Sequence, residues 1–86
     1  MKRTGILRTA EIMVTGQREQ DYGTPEENFT TIARLWSVAF GHEFVAEDVA
    51  LAMILLKVAR AVNGNGSDDT YVDIAGYAAC GGEIRE

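Results

Sequence analysis

Lys57 and Arg60 stand three residues apart, and Asp73 and Tyr77 four apart, in two consecutive stretches of the chain that read as helices. Those spacings put each pair on one face of a helix. If the two helices run antiparallel across the short segment between them, the cations meet the carboxylate. Unpaired charge between packed helices is costly, so the set has two readings. In one it is an interhelical salt bridge with every charge satisfied. In the other the cations face a cleft and take a phosphate while Asp73 orients one of them, because ammonium and guanidinium groups make charge-assisted hydrogen bonds to phosphate oxygens.

A second cluster precedes it. Arg18-Glu19-Gln20-Asp21-Tyr22-Gly23 packs charge, an aromatic ring and a flexible glycine into one connection. That combination suits stacking on a base and hydrogen bonding to a polar ligand. The competing reading is a turn in which Asp21 bonds local backbone amides and Tyr22 covers a helix interface. Asn28 and Trp36 lie eight residues, two helical turns, apart and could line the same groove, although Trp36 equally suits the core.

Catalytic arrangements are poorly supported. His42 is the only histidine, falls in a loop and has no nucleophile at a recognisable spacing. Zinc needs several Cys or His ligands, and the chain has one of each. Asp48, Asp68, Asp69 and Asp73 reach Mg²⁺ only through tertiary convergence, and helix capping accounts for most of them. NGNGS lacks the lysine of a phosphate-binding loop and follows no strand. No catalytic residue, metal ligand or cofactor is therefore expected.

These side chains need elements to hold them. Ile6, Leu7, Ala10, Met13 and Val14 predict a first helix over about 4–15, stopped by Gly16. The polar stretch QREQDYGT reads as a connection. Thr24-Pro25-Glu26-Glu27 is a helix start, with Thr24 as cap, Pro25 at the first position and Glu27 completing a capping box. The second helix runs to about Phe40 with Phe29, Ile32, Ala33, Trp36 and Phe40 on one stripe and Gly41 as its stop. Ala46-Glu47-Asp48 opens a third helix without a good capping side chain before it. That helix is apolar almost all round from Val49 to Val62, so it should be central and need partners on several sides. Asn63-Gly64-Asn65-Gly66-Ser67 is a loop whose glycines tolerate left-handed backbone. The period resumes with Tyr71, Ile74, Ala75, Ala78 and Ala79, which predicts a fourth helix over about 68–81. The expected fold is all-α: one compact four-helix domain over residues 1–86.

With 86 residues and 47% hydrophobic content, the chain makes one small soluble domain, marginal alone, so a homo-oligomeric helical bundle is expected. The third and fourth helices should supply much of its interface. A net charge of −5 opposes sequence-independent binding to nucleic acid. The lone cysteine, Cys80, fits a small buried residue in a reducing compartment. No leader is recognised, and the longest apolar run, Val49 to Leu56, is far short of the ~20 residues that cross a bilayer. The expected location is the cytoplasm of a bacterial host, with no membrane partner.

REQDYG, NFTTIARLW, EDVALAMILLKVAR and DDTYVDIAGYAA, taken in order, resemble a family of small phage and prophage proteins of uncharacterised function, over roughly Arg18 to Ala79. The same order of a DYG motif, a Lys-x-x-Arg helix and a DIAGY helix is similar to the nucleotide modification associated domain of phages. That resemblance implies a nucleotide-related role carried by Asp21, Tyr22, Gly23, Lys57, Arg60, Asp73 and Tyr77. The chain is also similar to MazG-like all-α nucleotide pyrophosphohydrolases, whose Glu-x-x-Glu and Glu-x-x-Asp pairs hold Mg²⁺. It departs from them where it matters for hydrolysis, because Glu26-Glu27 caps a helix and Glu47-Asp48 is adjacent rather than three apart.

The leading expectation is thus a non-enzymatic phage nucleotide-binding protein. Arg18, Lys57 and Arg60 contact phosphate, Tyr22 or Trp36 stacks on the base, and Asp21, Gly23, Asn28, Asp73 and Tyr77 complete the site. By analogy with small helical phage oligomers, the ligand could be a cyclic nucleotide signal of host defence. Two alternatives stand beside it. One is a Mg²⁺-dependent pyrophosphohydrolase or nucleotide-modification enzyme using Glu27, Asp48, Asp69 and Asp73. The other is an acidic inhibitor of a host defence protein.

Overall fold

The computed structural model describes residues 1–86, apart from the side chains of Gln17, Arg18 and Asn65. Five α-helices follow one another: α1 (Arg3–Thr15), α2 (Gln17–Tyr22), α3 (Pro25–Phe40), α4 (Ala46–Arg60) and α5 (Asp68–Arg85), with one wide π turn at Ala61–Asn65. Among the described residues there is no strand, as expected for an all-α chain.

Local chemistry sets most boundaries. The Glu27 N–H donates to Thr24 Oγ1 at 3.2 Å and the Thr24 hydroxyl donates to Glu27 Oε1 at 3.0 Å, which fixes the start of α3 behind Pro25. Gly41 (φ 63°) and Gly64 (φ 86°) adopt the left-handed backbone that closes α3 and turns the chain after α4. At α4 the cap is half a box: the Val45 N–H donates to Asp48 Oδ2 at 2.9 Å, so the acid supplies the capping group that the preceding residue lacks.

Three boundaries differ from the sequence reading. Residues 17–22 form a short helix rather than an irregular connection, because Gln, Arg and Glu are good helix formers and the glycines bracket the segment instead of interrupting it. The helix expected to reach Val62 ends at Arg60 and gives way to the π turn. The last helix passes through Gly81-Gly82 to Arg85, since Ile84 packs against the core and tertiary contact outweighs the weak propensity of glycine.

α5 is the spine. It packs antiparallel along α4 and is crossed on another side by α1, while α3 packs on α4. The antiparallel register is marked by Lys57 with Asp73, Ala50 with Gly81, and Glu47 with Arg85. The core gathers Phe29 and Ala33 of α3, Val49 and Ala50 of α4, and Cys80 of α5, with Trp36 and Phe44 packed against it. Val49 and Ala50 have no exposed surface at all. α4 is central on that side only, since its opposite face, including Leu51 and Leu55, is exposed.

The buried side of α5 is also not the one its apolar period suggests. Thr70, Val72, Gly76, Cys80 and Gly81 are buried, whereas Tyr71, Ala78 and Ala79 are exposed. The helix buries its smallest residues because its neighbours approach closely there: a Cβ on Gly76 would lie 3.2 Å from Val14 Cγ1, and one on Gly81 would lie 3.0 Å from Ala50 Cβ.

Candidate functional site

The α4–α5 register brings the charged residues together. Lys57 Nζ lies 2.9 Å from Asp73 Oδ2, with both side chains largely shielded from solvent. Arg60, one turn further along α4, is exposed and shares with them an open cleft of about 480 Å³. Ser67, Asp69 and Thr70, from the first turn of α5 and its cap, close the other side. The positive end of the α5 dipole therefore points to the same place as the two cations. Opposing this are Asp69 and Asp73, so the cleft is balanced in formal charge rather than strongly basic.

Asp73 has a second neighbourhood. It also lines a mainly apolar groove between α1, α2, α3 and α5, enclosing about 60 Å³. One wall is Ala10, Met13 and Val14 of α1; another is Val72, Gly76, Tyr77 and Cys80 of α5. Asn28 and Phe29 come from α3, and Glu19 and Tyr22 from α2. The rings of Phe29 and Tyr77 lie 6.2 Å apart at 35°, giving the groove an aromatic back. Tyr22, mostly exposed, forms its rim.

Gly23 fixes that rim. Its φ of 82° is in the left-handed region, and its N–H donates to Glu19 O at 2.9 Å, closing α2 just before α3 begins. Tyr22 is thereby held at the junction of two helices. Gly76 leaves room in the opposite wall, where any side chain would press on Val14.

Of the residues singled out by sequence, Tyr22, Gly23, Asn28, Asp73 and Tyr77 surround the groove, and Lys57, Arg60 and Asp73 line the adjoining cleft. Asp21 stays outside both linings on the exposed side of α2. Trp36 does not share the groove with Asn28. Two turns carry it about 12 Å along α3, where it packs edge-on against Phe44 with ring centroids 5.9 Å apart. The side chain of Arg18 lies outside the described residues. Sequence reasoning does not reach Met13, Val14, Phe29, Gly76 or Cys80 as groove residues. No local signal marks them, since their meeting depends on how α1 crosses α5.

Three of the acids considered for Mg²⁺ are engaged within the fold, while Asp69 lines the cleft. Glu27 bonds Thr24, Asp48 bonds the Val45 N–H, and Asp73 pairs with Lys57. Among the described residues, no group of three or more His, Cys, Asp or Glu is placed to hold a metal ion. His42 is exposed and rests edge-on against Phe44, 5.0 Å between centroids.

Residues 5–85 match a family model described as a domain of unknown function, DUF6378. The chain belongs to this family. It is 55% identical over 74 residues to the Gene 55 protein of Mycobacterium phage L5, a match covering 85% of this chain and 47% of that protein. It is 42% identical over 81 residues to the Gene 55 protein of Mycobacterium phage D29, covering 94% of this chain and 54% of that one. The DUF6378 chain thus spans about half the length of these phage proteins. No solved structure matches it. Among the described residues, no helix is long and apolar enough to cross a membrane.

Proposed function

We propose that this DUF6378 chain binds a nucleotide without turning it over. The base enters the groove at Tyr22, and the phosphate sits in the cleft at Arg60 and Lys57. The observation that carries the reading is the position of Asp73, which lines both compartments and so joins an aromatic-backed groove to a cation-bearing cleft.

Size decides how the base would lie. A cavity of about 150 Å³ accepts a benzene ring, and the groove encloses about 60 Å³. A base therefore enters only by its edge, with the rest of its face against Tyr22 at the rim. Asn28 offers both a donor and an acceptor to that edge. Arg60 offers the fork that suits phosphate oxygens, while Lys57 is shared between phosphate and Asp73. Glu27 and Asp48 cap helices and Asp73 pairs with Lys57, which leaves Asp69 as the one further acid at the cleft, an arrangement that favours retention of the ligand over metal-assisted hydrolysis. Similarity to phage proteins makes a host nucleotide, including a cyclic defence signal, the natural ligand to try.

Calorimetry against a panel of linear and cyclic nucleotides tests the reading. A charge-assisted contact is worth about 1.5–3 kcal/mol, so Arg60→Ala should weaken binding at least about tenfold with the far-UV circular dichroism unchanged. Undiminished binding by this variant, or no heat from any nucleotide at millimolar concentration, would refute it.

A further inference from the structure

We propose that the outer face of α4 is a self-association surface that takes a second copy of this chain in antiparallel packing. Leu51, Leu55, Val58 and Val62 are 52, 69, 40 and 78% exposed, although the helix behind them is buried to completion at Val49 and Ala50. They follow one another at spacings of four, three and four, the repeat of a coiled-coil seam. That order reads the same in both directions. A copy turned about a two-fold axis therefore sets Leu51 against Val62 and Leu55 against Val58, a larger side chain facing a smaller one at every step. Such self-complementarity is what an isologous interface requires.

Area supports the same occupant. The four exposed side chains present on the order of 400 Å² of apolar surface, already the size of the largest patch on a typical monomer. With exposed Ala59 beside the row, two copies would bury up to roughly 900 Å², the size of a weak, concentration-dependent interface. Ala59 is small enough to let the helix axes approach closely. Among the described residues no charged residue of α4 interrupts the row from Leu51 to Val62, since Lys57 and Arg60 both line the cleft on the α5 side. A lipid surface fits less well, since the chain carries net charge −5 and this face lacks the basic rows that anionic membranes attract. The radius of gyration, 13.4 Å, exceeds the ~12 Å of a compact domain of this length, in keeping with helices that leave one side for a partner.

The test is mass in solution, read by size exclusion with light scattering on the full chain at 10–100 µM. The expected result is twice the 9.4 kDa of the monomer. Leu55→Glu removes an apolar contact from both copies and buries a charge, so it should raise the dissociation constant at least about 100-fold and yield the monomer. Leu35→Glu, on the exposed part of α3, should remain a dimer. If Leu55→Glu fails to fold, Val62→Glu, beyond the end of α4, reads the same contact. A wild-type mass of 9.4 kDa at 100 µM overturns the proposal. An assembly that keeps its mass in both Leu55→Glu and Val62→Glu, or that Leu35→Glu dissociates equally well, overturns it too.

Discussion

Gly81 and Gly82 are neighbours on α5, yet replacing each with alanine should move stability in opposite directions. At position 82 a new Cβ meets nothing within 4 Å. The substitution then acts mainly through the unfolded chain and the helix propensity, a gain of about 0.5–1 kcal/mol. At position 81 the same gain applies, but the Cβ arrives 3.0 Å from that of Ala50. Ala50 is completely buried and its Cβ is fixed to the backbone of α4, so no rotamer change relieves the contact. The axes of α4 and α5 must separate by a few tenths of an ångström, which loosens Val49 and Cys80 as well. Overpacking of this kind costs about 1–3 kcal/mol, more than the propensity returns, and leaves Gly81→Ala destabilised by about 1 kcal/mol. In a domain of this size each kcal/mol moves the melting midpoint by about 4–8 °C. The two variants should therefore melt roughly 5–15 °C apart, followed by far-UV circular dichroism at one fixed protein concentration. If Gly81→Ala is as stable as Gly82→Ala, α4 and α5 do not approach as closely at Ala50 as the 3.0 Å contact requires.

Two further substitutions test how the elements are tied. Ser37 Oγ accepts the Phe44 N–H at 2.8 Å and donates to Ala33 O at 2.7 Å, so Ser37→Ala strands a partly buried amide and should cost about 1–2 kcal/mol in urea unfolding; no change would mean that water reaches that amide. Thr24→Ala removes the acceptor for the Glu27 N–H and should cost about 1 kcal/mol, whereas Thr24→Ser should restore most of it, and equal losses in both would point to the methyl group instead of the hydroxyl.

Helix existence was readable from periodicity and punctuation, because those signals are local. Thr24-Pro25 and Gly41 bracket α3 by chemistry that needs no tertiary partner. The polar 17–22 segment hid a helix because it has no apolar stripe to reveal one. On α5 the period was present but pointed to the wrong face. Its buried positions, Val72, Gly76 and Cys80, are spaced four apart, yet the glycine between them contributes no hydrophobic signal, so the unbroken series Tyr71, Ile74, Ala75, Ala78 and Ala79 defined the apparent stripe. The same blindness covers part of the candidate site. Lys57, Arg60 and Asp73 could be grouped because a short link forces adjacent helices to pair. Met13 and Val14 could not, since nothing in α1 states which helix it will cross.

That crossing joins the fold to the site. α5 meets α1 at Gly76 and α4 at Gly81, two close approaches about one and a half turns apart along one helix. The first lowers the groove wall between Val14 and Tyr77, and the second sets the α4 register that carries Lys57 to Asp73. Asp73 precedes Gly76 by less than one turn, so it emerges beside the α1 crossing while still facing α4. A carboxylate in that position can line an apolar groove and hold an ammonium group at once. A bulkier residue at either glycine would move the two compartments relative to each other even if every polar side chain remained. The geometry of the candidate site therefore rests on positions that carry no side chain at all.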